Sequence, residues 1–145
     1  MKVKQLSLFL ENRRGALSRP VRLLARGKFN ILTLTLADTQ QFGILRFVVR
    51  DWQKAKRLLE KNGFVVKVTD MVAIEVSDAP GGLSSILAAL EKTHVNLEYM
   101  YGFTQKKEHK GLLVFRFDDP DRAIEALQKK NINPVRSLEL FKGIE

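Results

Sequence analysis

The sequence repeats itself, and that limits its folds more than any other feature. Shifted by 66 residues, Gly15 falls on Gly81, Leu17 on Leu83, Ser18 on Ser84, Leu24 on Leu90 and Asn30 on Asn96. The alternating Leu6, Leu8 and Leu10 fall on Val72, Ile74 and Val76. A two-residue insertion near 104–110 moves the offset to 68. Gly43 then matches Gly111, Phe47 matches Phe115, Asp51 matches Asp119, Ala55 matches Ala123 and Leu59 matches Leu127. Identities in a fixed order, on matching periodicity, mark a duplication. Whatever unit of about 70 residues the first half forms, the second half forms too.

Each copy has the same order of elements. Residues 3–10 alternate and are rich in Val, Leu and Phe, which predicts a half-buried strand. Gly15 breaks it, and Leu17, Val21 and Leu24 recur at helical spacing, with Pro20 tolerable only in the first turn. Asn30–Asp38 alternates again, Thr39-Gln40-Gln41 turns, and Phe42–Val49 is a third strand. Asp51 is placed to cap a second helix with Ala55, Leu58 and Leu59 inward. Asn62-Gly63 stops that helix, and Phe64–Val68 is a short fourth strand. The second copy predicts strand Met71–Ser77, helix Gly82–Thr93 with Leu83, Ile86, Leu87 and Leu90 inward, and strand Val95–Thr104. Strand Gly111–Phe117, helix Asp119–Lys130 and strand Pro134–Leu140 follow, with Asn131 as a left-handed cap. The fold class is therefore α+β: two ferredoxin-like βαββαβ repeats, each an antiparallel sheet with helices on one face. The domains are residues 1–69 and 70–145. A sheet covered on one face leaves the other with Ile44, Val48, Tyr99 and Tyr101, which the second copy or another chain is expected to cover.

Composition narrows the function. The 145 residues carry 25 Lys and Arg against 16 Asp and Glu, a net charge of +9. Residues 1–70 hold 15 basic and 5 acidic side chains, and residues 71–145 hold 10 and 11, so the basicity belongs to the first copy. There is no cysteine, which removes disulfides and thiol chemistry and suits a reducing compartment. No apolar run approaches the ~18 residues a membrane span needs. Met1–Gln5 leads only into the short stretch Leu6–Leu10, too little for a secretory signal, so a cytoplasmic location without membrane attachment is expected.

Two loops are candidate sites. Asp78-Ala79-Pro80-Gly81-Gly82-Leu83 joins a strand to a helix, and Asn12-Arg13-Arg14-Gly15-Ala16-Leu17 is its counterpart. Glycine allows a tight turn and close approach of a ligand to the backbone. The helix start presents amides without intrahelical partners, which suit a carboxylate or phosphate. Both loops are followed by Asn at the start of the next strand, Asn30 and Asn96. The same residue types also serve in ordinary turns and caps.

These segments, with Asn30-Ile31, Ala37-Asp38-Thr39, Phe42-Gly43-Ile44-Leu45-Arg46 and Asn96-Leu97, resemble the ACT domain, a small regulatory module that binds amino acids. The resemblance covers nearly the whole chain as two tandem domains. It is strongest to stand-alone tandem ACT proteins without a catalytic domain. It implies an amino-acid ligand, and a homodimer is expected; an alternative reading is a regulatory subunit whose main partner is an enzyme. By resemblance, Asn12, Arg14, Gly15, Ala16 and Leu17 form one site, and Asp78, Gly81, Gly82 and Leu83 another. Asn30 and Asn96 would contribute from a facing domain. Arg14 stands where the family has the proline seen at Pro80, and Asp78 replaces the Asn of the first copy. The two sites therefore need not be equivalent.

The rival is an RNA-recognition motif, which shares the βαββαβ order and stacks bases on strand aromatics. Lys110–Phe117 has the basic-Gly start, but Leu112 and Val114 stand where stacking aromatics belong, and only Phe117 fits. Nucleic acid is thus the lesser expectation, although Arg19, Arg22, Arg26 and Lys28 lie on and after the first helix, the three arginines on one face. Enzyme chemistry is not expected. His94 and His109 lack partners at metal-ligand spacing, and Asp118, Asp119 and Asp121 are ordinary at a helix start. No nucleophile, base and orienting group come together. No cofactor or metal is expected.

Overall fold

The computed structural model describes residues 1–103 and 109–142. Its contacts group the chain into two compact units, Lys4–Thr69, and Met1–Val3 with Asp70–Glu145.

The first unit contains β1 (Lys2–Glu11, from Lys4 on), α1 (Ser18–Arg26), β2 (Thr33–Thr39), β3 (Phe42–Val48) and α2 (Trp52–Lys61). Its strands run β2-β3-β1, antiparallel throughout, with Leu8 opposite Leu45 and Leu45 opposite Leu36. One face of the sheet presents Leu6, Leu8, Leu10, Leu45 and Phe47 to Leu24 of α1 and to Ala55 and Leu59 of α2. Burying side chains of this size contributes about 1.5–3 kcal/mol each, so this layer is the main source of the unit's stability. On the opposite face Val48 is wholly buried, and Gln5 donates to Ser7 Oγ at 3.3 Å. Phe9 and Phe42 stay exposed there, at 66% and 48%.

In the second unit β4 (Val66–Ser77, from Asp70 on) pairs with β6 (Lys110–Phe117), which pairs with β5 (Leu97–Gly102). Helices α3 (Gly82–Leu90) and α4 (Pro120–Lys129) cover Val72, Ile74, Val76, Phe115 and Phe117 with Ile86, Leu90, Ala123 and Leu127. Tyr99 and Tyr101 are half-buried.

The α+β class and the ferredoxin-like order hold, and several boundaries move. The two strands expected at Phe64–Val68 and Met71–Ser77 are one strand, β4. No Gly or Pro interrupts 66–77, and β-branched residues recur through it, so the chain has no reason to turn. The strand expected at Pro134–Leu140 is replaced by a short helix, α5 (Ser137–Leu140). Pro134 has no amide to donate, and Val135 N to Ala73 O at 2.8 Å is the ladder bond formed there. Leu87 faces outward, at 38% exposure. Helix α3 ends at Leu90, where Thr93 donates through both its amide, at 3.0 Å, and its hydroxyl, at 2.6 Å, to the Leu90 carbonyl. Strands β2 and β5 begin two or three residues later than the alternation suggests. Thr104 and most of the loop expected at Gln105–Lys110 lie outside the described residues.

Candidate functional site

The first loop leaves β1 at Glu11 and is tied down at once. Asn12 N donates to Gln41 O at 2.9 Å, and Asn12 Nδ2 to Gln40 O at 3.3 Å, so this side chain clamps the loop to the β2–β3 turn. Arg13 Nε pairs with Glu11 Oε2 at 2.9 Å. Gly15 takes φ +82°, a left-handed conformation that reverses the chain into α1. Ser18 N donates to Gly15 O at 3.2 Å, and no side chain caps the helix among the described residues. Val21 N donates to Leu17 O at 3.4 Å and Pro20 has no N–H, so Arg19 N is the first-turn amide left for a ligand. Ala16 and Leu17 are half-buried against the core, whereas Asn12, Arg14 and Gly15 are exposed.

A cleft of about 470 Å³ opens beside this loop. Leu10 and Glu11 line it from β1, Arg13 to Ala16 from the loop, and Arg19 and Arg22 from α1. Gly63 and Phe64, beyond α2, and Phe9 complete it. Arg19 is fixed in place: its Nη2 donates to Asn62 O at 2.6 Å and its guanidinium lies 4.7 Å from the Phe64 ring centre. Arg19 and Arg22 read in sequence as a solvated row. Their i, i+3 spacing near the start of α1 was the one signal that could have placed them on the loop's cleft. Arg26, one turn on, is not among the lining residues.

The second loop repeats the geometry with tighter packing. Gly81 takes φ +89°, and its carbonyl accepts from Ser85 N at 3.0 Å and Ser85 Oγ at 2.9 Å. A Cβ on Gly82 would lie 2.1 Å from Ser77 O, so only glycine fits. Asp78 N donates to His109 O at 2.9 Å, which anchors the loop at the start of β6. Asp78 and Gly81 are exposed, and Gly82 and Leu83 half-buried.

Within each unit the asparagines do not join these loops. Asn12 meets the β2–β3 turn at one end of the sheet, whereas Asn30 precedes β2 at the other. Asn96 N likewise donates to Asp118 Oδ1 at 2.9 Å, at the far end of β6 from Asp78. The aspartate run has structural roles. Besides that Asp118 contact, Asp119 Oδ1 accepts from Arg122 N at 3.1 Å, and Asp121 pairs with Lys2 at 3.1 Å. His94 lines a separate cleft of about 460 Å³ between α3 and α4, with Lys92, Arg122, Lys129 and Lys130. Phe117, the residue that best fitted base stacking, is wholly buried and stacked on Phe115 at 5.7 Å.

A family model described as the ACT domain pair matches residues 1–144. A crystal structure of a Bacteroides thetaiotaomicron protein is similar to this chain at TM-score 0.90 and 37% identity, over 98% of this chain and 97% of that one. The ligand-free regulatory subunit of aspartate kinase from Thermus thermophilus gives TM-score 0.62 at 15% identity, over 88% and 91%, a likeness of fold. In sequence, 79 residues are 32% identical to the acetolactate synthase small subunit of Buchnera aphidicola subsp. Baizongia pistaciae. That match takes in 54% of this chain and 50% of the subunit, so the chain spans about half the length of the curated relative it matches. No helix among the described residues is long and apolar enough to cross a membrane.

Proposed function

Because the chain belongs to the ACT domain pair family, we propose that it is a cytoplasmic, non-catalytic regulatory protein that senses a small amino acid or related carboxylate. The observation that carries this reading is the pair of equivalent loops. Each has a glycine at positive φ, +82° at Gly15 and +89° at Gly81, leading into a helix start that no side chain caps. Such a turn brings backbone amides and the positive helix end to one place, which favours a carboxylate. Asn12, Arg14, Gly15, Ala16 and Leu17 are the first site of this reading, and Asp78, Gly81, Gly82 and Leu83 the second. Asn30 and Asn96 would reach a loop only from another domain, which fits a homodimer. Ligand binding would then act by favouring one arrangement of domains over another.

A thermal-shift screen against the standard amino acids tests this. A ligand at about 100 times its Kd stabilises by about 2.7 kcal/mol, a rise of roughly 5–10 °C for a chain of this size. Gly81→Val should abolish the response; a Cβ there meets nothing within 4 Å, so its cost is the strain of a β-branched residue at φ +89°, and a retained cooperative melting transition shows that the variant still folds. A response that survives this change removes the second loop from the site. No response to any amino acid, together with salt-sensitive retention of RNA, favours the nucleic-acid alternative instead. The likeness to an acetolactate synthase small subunit favours a second reading, a regulatory subunit of a biosynthetic enzyme. That reading requires an enzyme whose activity changes on addition of this chain.

A further inference from the structure

We infer that the cleft beside Gly15 takes a small molecule with two or more negative charges, a phosphate or a di- or tricarboxylate, in preference to a zwitterionic amino acid. This rests on the reading of the Gly15 loop as a ligand site and narrows it. Four arginines, Arg13, Arg14, Arg19 and Arg22, line the cleft against one acidic residue, Glu11. Glu11 is already held by Arg13 at 2.9 Å. An amino acid's carboxylate would be well received, but its ammonium group would face an excess of positive charge without an acidic partner of its own. A dianion matches the walls with all of its charges. Arginine's planar fork also suits the oxygens of carboxylate and phosphate.

The groups are set for that task. Arg19 is positioned before any ligand arrives, by its bond to Asn62 O at 2.6 Å and its contact with the Phe64 ring, which lowers the ordering cost of binding. Arg14 and Arg22 have no ion-pair partner among the described residues. The volume of about 470 Å³ lies within the usual range for small-molecule sites. The second repeat is an internal control. At the offset of 66, the four arginine positions become Ala79, Pro80, Ser85 and Ala88. The same strand–loop–helix turn forms there without a single cation, so the fold does not require the arginines.

The test is calorimetric titration of the full chain with inorganic pyrophosphate, with citrate and with glycine, at matched ionic strength. Saturable binding of pyrophosphate, citrate or both is expected. Pyrophosphate alone points to a phosphate ligand, and citrate alone to a polycarboxylate. Arg14→Gln and Arg22→Gln should each weaken that binding about tenfold. Lys54→Gln, which removes an exposed cation of α2 outside the cleft, should leave it within about twofold. Three results would overturn the inference: no anion binding, binding that does not depend on Arg14 or Arg22, or binding weakened as much by Lys54→Gln. An amino-acid response lost in Gly81→Val, without any anion binding, sinks this inference and leaves the sensor reading standing. Anion binding at the arginines without any amino-acid response does the reverse.

Discussion

Neighbouring glycines in one loop do different work. At Gly15 and Gly81 the requirement is conformational: φ is positive, and a Cβ would meet nothing within 4 Å. At Gly82 it is steric, since a Cβ would overlap the Ser77 carbonyl. Gly15→Ala should therefore cost about 1–2 kcal/mol, the strain of a left-handed L-residue. Gly82→Ala should cost about 3 kcal/mol or more and rebuild the start of α3. Urea unfolding of the two variants decides, and equal losses would mean that the loop relaxes around a Cβ. The positions of these glycines were legible in the sequence, because a break between a period-2 and a period-3.6 pattern needs a turn residue. Their separate reasons were not, since steric fit depends on an atom five residues away, in another element. Asn12 shows the same limit. Its polarity suggested ligand contact, and the fold uses its side-chain amide to hold the Gln40 carbonyl.

Periodicity predicted the elements well where one face is buried and poorly where termination depends on partners. All four long helices stand where the apolar spacing put them. The joint between the two repeats shows the failure: the sequence reads as two strands, but β-branched residues continue through it and β4 runs on for 12 residues. Capping is a finer case. Asp51 and Asp119 are equivalent, yet only Asp119 bonds a first-turn amide, with Arg122 N at 3.1 Å. Pro120 fixes the backbone at the start of α4, whereas Trp52 begins α2. Asp119→Ala should lose about 1 kcal/mol, the usual value of an N-cap. Asp51→Ala should stay within about 0.5 kcal/mol. Denaturant midpoints at constant slope read the difference directly. Equal losses would show that Asp51 acts through its charge on the helix dipole rather than through a bond.

The duplication leaves two similar folds with different surfaces, and four of the first copy's fifteen basic residues line the cleft that its loop and α1 form, against one acidic residue, Glu11. A sequence read linearly does not show that a chain end groups with a distant segment, because compactness is a property of contacts. Met1–Val3 belongs by position to the first copy, yet these residues group with Asp70–Glu145. Lys2 Nζ lies 3.1 Å from Asp121 Oδ1, and that hydrogen bond, then the carboxylate's charge, push the lysine above its ordinary range. A raised pKa means that the pair's contribution is fully present below the ordinary lysine value and is lost as pH climbs through the raised one. Asp121→Asn should return Lys2 towards its ordinary value, as followed by NMR titration of its side chain. Val3 is 1% exposed. Val3→Ala should cost about 2 kcal/mol in transfer and cavity terms. If the grouping of contacts is also the grouping of stability, the loss falls on the second unit. Amide exchange should then quicken in β6 and α4 before α1 and α2. Faster exchange in α1 and α2 instead would place the N-terminal residues, in energetic terms, with the first repeat.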